Sequence, residues 1–133
     1  MEQYEWITSD DIPLALIIRS DAFPEQTTFV TPPDLNFQVG FVVYAENQTI
    51  ARHVHRPIAR IVREGSELLI LKKGRCLVNI YNDARELIAT RDLRCGDLIL
   101  LLHGGHGFDL LEDTTFIEVK QGPYAGIAEK ERF

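Results

Sequence analysis

His53 and His55 are separated by a single residue, Val54. If Thr49–His55 is a strand, alternation sends both imidazoles to one face and Val54 to the other. Two imidazoles roughly 7 Å apart along a strand can converge on one cation. The competing reading is a pair of surface or hydrogen-bonded histidines. Glu67 opens the next strongly apolar stretch with a hard carboxylate. His106 follows the apolar run Leu98–Leu102, within His103-Gly104-Gly105-His106-Gly107-Phe108. His53, His55, Glu67 and His106 thus form a candidate metal shell. Three imidazoles and a carboxylate suit Zn(II), Fe(II), Mn(II), Ni(II) or Co(II), and affinity order does not choose among them.

Other residues could work beside such an ion. Glu118 and Lys120 share one face of a predicted strand with Phe116, while Ile117 and Val119 share the other. Two arrangements follow: an acid–base couple turned into the protein, which must pair to be buried, or a solvent-facing ion pair over an apolar Ile117/Val119 core. Glu118, Lys120 and His103 are the candidate catalytic groups. His103 is also an alternative ligand to His106, and Glu64 to Glu67. Tyr44 and Tyr81 can offer hydroxyls to a ligand or simply pack, and Gln38 can stand behind the site. Arg52, Arg56, Arg60 and Arg63 make either a solvated face or a rim that grips an anion bidentately, with Arg60 the candidate substrate contact. Phe108 and Tyr124 can wall a ligand or cap a core.

The elements that must hold these groups read as strands. Phe37, Val39, Phe41 and Val43 alternate with Gln38, Gly40, Val42 and Tyr44. Thr49–His55, Glu67–Leu71, Cys76–Tyr81, Glu86–Thr90, Leu98–Leu102 and Thr114–Lys120 follow, with turn signals at Lys72-Lys73-Gly74, Asn82-Asp83-Ala84-Arg85 and Cys95-Gly96-Asp97. Asp11–Ser20 leans towards strand despite Pro13. Pro24, Pro32 and Pro33 make Ala22–Leu35 irregular or an edge. Ala125–Phe133 is a charged tail, either a short helix or an extended arm. Short strands at this spacing predict an antiparallel sandwich or barrel.

The chain has 133 residues, 45% hydrophobic and 26% charged, which suits one soluble domain. We expect a barrel over residues 37–120, an N-terminal strand or arm over 1–36 and a tail over 121–133. The net charge of −6 argues against nucleic acid as the main partner. There is no apolar run of spanning length and no signal-peptide pattern, so a cytoplasmic protein without a membrane partner is expected. Cys76 and Cys95 are expected to be reduced thiols.

The spacing of these residues resembles the two motifs of the cupin superfamily. The first motif is Gly, five residues, His-x-His, a short gap, Glu, six residues, Gly. Asn47 stands at its first glycine, five residues before His53, and Gly74 follows Glu67 after six residues. Asn tolerates the positive φ a glycine would supply there. The gap from His55 to Glu67 is eleven residues, longer than the motif asks. In the second motif Gly96 and Gly104 hold the glycine positions, Leu102 replaces a proline, His106 arrives one residue early, and Leu110 stands for an asparagine. The resemblance spans residues 37–120. It implies an all-β cupin double-stranded β-helix, or jelly-roll barrel, with one divalent metal ion and a homodimer. The run from Gly104 to Phe108, with Glu118–Tyr124, is more narrowly similar to small single-domain cupins found among polysaccharide and nucleotide-sugar biosynthesis proteins.

That resemblance implies chemistry on a small polar metabolite, a sugar or sugar-nucleotide derivative. Isomerase or epimerase chemistry, a metal-dependent lyase and an Fe(II) dioxygenase are all compatible with it. The other class is a non-catalytic module in which a metal or carbohydrate is only bound.

Overall fold

Alternating apolar residues become a strand only where a neighbour satisfies their backbone groups. The computed structural model describes residues 3–133, and it divides into two compact units, Met1–Ala22 with Glu64–Phe133, and Phe23–Arg63. In the first unit the strands are β1 (Tyr4–Ser9), β2 (Ile12–Ile18), β5 (Glu67–Lys73), β6 (Arg75–Tyr81), β7 (Leu87–Arg94), β8 (Leu98–Leu101), β9 (Gly105–Leu110) and β10 (Thr115–Lys120). In the second they are β3 (Thr28–Phe29) and β4 (Gly40–Phe41). One 3-10 turn, Gly126–Glu129, is the helical structure in the described residues. The protein is all-β.

The first unit contains two antiparallel sheets, ordered β1-β2-β8-β5-β10 and β7-β6-β9. The sheets do not hydrogen-bond into a closed barrel, and β9 and β10 each end a sheet. The core lies between them. Ala15, Ile17, Leu69, Leu71 and Ile99 from the larger sheet join Cys76, Val78, Ile80, Ala89 and Leu93 from the smaller, with Phe108 and Phe116 packed against them. Each of the valine, leucine and isoleucine side chains among them contributes about 1.5–3 kcal/mol on burial. Arg91 of β7 closes one flank by gripping Glu5 of β1, with its Nε 2.9 Å and Nη2 2.8 Å from Glu5 Oε2.

Most expected strands form in this unit, and two form that the sequence reading did not include, β1 and β9. The Lys72-Lys73-Gly74 turn forms as expected. Gly74 has φ +95°, and a Cβ there would strike the Asp113 carbonyl.

The second unit departs from expectation. Of the strand expected over Phe37–Tyr44 only Gly40–Phe41 forms, paired with the two-residue β3. The strand expected over Thr49–His55 is absent: residues 49–63 are irregular and exposed. No strand in the unit pairs with this segment, Pro57 interrupts it, and its four arginines keep it from presenting one apolar face. Tyr44 and Arg60 are accordingly exposed. Asn47 does adopt positive φ, +65°, in the turn closed by Gln48 N donating to the Ala45 carbonyl.

The turn between β7 and β8 is tied down by a buried carboxylate. Asp97 Oδ1 accepts from Ser20 N at 2.9 Å; Oδ2 accepts from Arg94 N at 2.9 Å and from Arg19 Nη1 at 3.0 Å. Gly96, at φ +91°, donates its N–H to the Leu71 carbonyl at 2.7 Å. Asp97→Ala removes the carboxylate partner of the part-buried Arg19, which keeps only the Asp92 carbonyl at 2.6 Å, and leaves the Ser20 and Arg94 N–H groups without their acceptor. We expect it to cost about 3–5 kcal/mol in urea unfolding at pH 7, whereas Asp92→Ala, at a more exposed pair with Arg75, costs far less. Equal losses would contradict this assignment.

Candidate functional site: an ionisable cluster on the inner face

Residues directly opposite on paired strands share a face. Along β5 and β10 the inner-face pairs are Leu71 with Phe116, Leu69 with Glu118, and Glu67 with Lys120. On the smaller sheet they are Val78 with Phe108 and Ile80 with His106. The inner face is therefore apolar over most of its length and becomes ionisable where Glu67, Glu118, Lys120 and His106 stand. On β10, Glu118 and Lys120 share the face of Phe116 and stand at its rim, their side chains 38% and 28% exposed. Ile117 and Val119 are exposed, 43% and 49%, and Phe116 packs on the core.

The cluster is electrostatically coupled. Partial burial pushes the Glu67 carboxyl up to about 7, reinforced by its hydrogen bond with Glu118 and by that group's charge; Lys130 and Lys120 oppose the shift. The protonated Glu67 donates to Glu118, so one proton serves two carboxyls near neutral pH. Lys120 Nζ lies 3.9 Å from Glu118 Oε2. Burial holds the His106 imidazole below its usual range, as does Lys130, against the pull of Glu118. His106 is thus neutral at pH 7, and its ring lies 6.0 Å from that of Phe108.

His103 stands apart from this cluster in its chemistry. Its Nε2 lies 2.7 Å from Asp83 Oδ2 and its Nδ1 2.6 Å from Glu64 Oε1. The hydrogen bond to Asp83, and with it that to Glu64, raises the His103 pKa against the cost of burial. An imidazolium clamped at both nitrogens has no lone pair for a metal or a substrate proton. Glu64 is likewise engaged with His103. Beside them a cavity of about 450 Å³ is lined by Asp83, His103, Gly104 and His106, among others.

His53 and His55 lie in the second unit, exposed, with ring centroids 5.1 Å apart. His53 Nδ1 lies 2.8 Å from the Ala51 carbonyl, so Nδ1–H donates and Nε2 keeps its lone pair. Gln38 braces its own loop: Nε2 donates to the Pro32 and Leu35 carbonyls, and Oε1 accepts from Thr31 Oγ1 at 2.9 Å. Tyr81 packs edge-on to Phe133, and Tyr124 is 78% exposed beneath Lys120 Nζ. Among the described residues no group of three or more His, Cys, Asp or Glu side chains is arranged to hold a metal ion. Asp83, Arg85 and Lys130 were not foreseen as site residues. Asp83 and Arg85 had the signal of a turn only, and Lys130 that of a charged tail.

The chain matches no protein-family model, no curated protein and no solved structure. No helix among the described residues is long and apolar enough to cross a membrane.

The raised Glu67 pKa has a measurable consequence. Folding lifts this carboxyl from near 4.5 to about 7, so its contribution favours the folded state fully below 4.5 and is lost as pH climbs through 7. Glu67→Gln removes that titration. We expect its thermal unfolding temperature to fall less than the wild type's between pH 5 and pH 8, with a relative gain at pH 8. Parallel profiles would show that Glu67 does not titrate in this way.

Proposed function

We propose that this chain is a small cupin whose inner-face cluster moves protons on a small polar metabolite, a sugar or sugar-nucleotide derivative, in isomerase- or epimerase-like chemistry. One observation carries the reading: a neutral imidazole, a carboxyl titrating near 7, a second carboxyl and an ammonium share the end of an otherwise apolar interior. Acid–base catalysis works best with groups poised near the operating pH. His106 accepts a proton from a carbon next to a carbonyl, and Glu67 returns one to the opposite atom. Glu118 holds the Glu67 proton in place, and Lys120 balances the charge left on the carboxyl pair. Tying up His103 as an imidazolium between two carboxylates leaves His106 as the base.

The cupin part of the reading is supported by backbone conformation and strand order. Asn47, Gly74, Gly96 and Gly104 hold the four turn positions of the motifs, and all four have positive φ, between +65° and +95°. From β5 to β10 the chain passes between sheets in the pattern of a jelly roll, β10-β5-β8 in one and β9-β6-β7 in the other. As the alternative to this proton relay we propose a divalent ion: the donors of the first unit fit it in kind, the His106 imidazole and an ionised Glu67 carboxylate, and they would hold it in place of their acid–base roles. Bound so, the ion would polarise a carbonyl or hydroxyl.

Two measurements test this. Proton NMR in D₂O should show C–H exchange in one member of a panel of aldoses, ketoses and their nucleotide conjugates, slowed about 10²–10⁴-fold in His106→Ala. Exchange untouched by that substitution, or none with any member, overturns the proton-transfer reading. Elemental analysis should find one divalent ion per chain in the wild type and a loss in His106→Ala. Unchanged occupancy in His106→Ala removes this residue from the metal shell.

A further inference from the structure

One wall of the cavity beside His106 is supplied by the chain's own Phe133 and Glu131. The Phe133 ring lies with its centroid 5.1 Å from that of Tyr81, edge to face at 85°, and Arg85 Cζ stands 5.1 Å from the same ring centroid. Arg85 Nη2 also pairs with Glu131 Oε2 at 3.0 Å. The floor of the seat is bare backbone. A Cβ at Gly105 would lie 2.7 Å from the far end of the Phe133 ring, so the ring rests where a side chain would otherwise be. One guanidinium therefore serves both a flat ring and an anion, beside a glycine that makes room for the ring.

We propose that Tyr81, Arg85 and Gly105 form a binding subsite for a flat ring carrying an anionic group, and that Phe133 with Glu131 fills it as a built-in, displaceable competitor. Three properties fit this. Aromatic faces and guanidinium groups recognise planar rings, and guanidinium pairs with carboxylate or phosphate. The occupant is weakly held: Phe133 is 61% exposed, and the side chains of Arg85 and Glu131 are 50% and 78% exposed, where an ion pair contributes little. The seat opens on the same cavity as His103 and His106, so a ligand held by its ring and anion extends its remainder towards them. The subsite goes beyond the proton-transfer reading and does not depend on it, because a ring ligand would bind even if His106 did no chemistry.

The test uses the full chain and 3-phenylpropionate, a ring joined to a carboxylate. In Glu131→Ala/Phe133→Ala the probe should shift the backbone amides of Tyr81, Arg85 and Gly105 in NMR titration. Its affinity should be about fivefold or more above that for the wild type, where the resident segment competes. Adding Arg85→Ala, or adding Gly105→Ala, whose methyl fills the seat, should abolish that gain. Gly105 has no positive φ, so alanine is compatible with its backbone. Equal probe affinity in wild type and double variant, or a gain that survives Arg85→Ala, overturns the proposal.

Discussion

The carboxylate of Asp97 is the interaction on which the sheet unit depends. It accepts hydrogen bonds from Ser20, Arg94 and Arg19, which places the end of β2, the end of β7 and the start of β8 around one buried charge. β8 then lies between β2 and β5, the centre of the larger sheet. Because strand register sets which side chains face inward, a slip at β8 would turn Ile99 and Leu101 out of the core beside β5, the strand that carries Glu67. The site's geometry is thus held from the opposite end of the core, by a group that takes no part in it.

What makes the inner face chemically interesting is its change of character along one direction. Most of it is close-packed aliphatic and aromatic surface. At one end the same alternation delivers Glu67, Glu118, Lys120 and His106. Their proximity costs desolvation, and the cluster offsets part of that cost by sharing a proton between carboxyls and keeping the imidazole neutral. The nearby His103 resolves the same problem differently, by carrying charge between two carboxylates. Two histidines three residues apart are therefore pushed in opposite directions, His103 above and His106 below the usual imidazole range, and the difference lies in their neighbours.

Glycine and turn residues do local work of equal importance. Gly104 has φ +77° and approaches Tyr81 so closely that a Cβ would strike its carbonyl, which turns the chain from β8 into β9 and aims His106 inward. Gly105 leaves open the floor on which the Phe133 ring sits. The cavity and the ionisable cluster meet at His106, so the turn that positions the base also shapes the space beside it.

The all-β character was legible in the sequence because period-two alternation and regularly spaced turns are local signals. The positive φ at Asn47 could be anticipated for the same reason, as could the turn at Gly74. Which face of β10 packs on the core remained open, since alternation separates two faces without saying which is buried. Pairing of β10 with β5 decided it, by matching Phe116 to Leu71. Alternation overreached at residues 37–44 and 49–55, where the pattern was present and no neighbour paired with most of it. β9 was missed because three glycines disguised a strand as a turn. The clamp on His103 and the seat around Phe133 join residues about 20 to 50 positions apart. Only the tertiary structure could bring these together, because hydrogen bonds and ring contacts act in space, while sequence patterns report the local backbone.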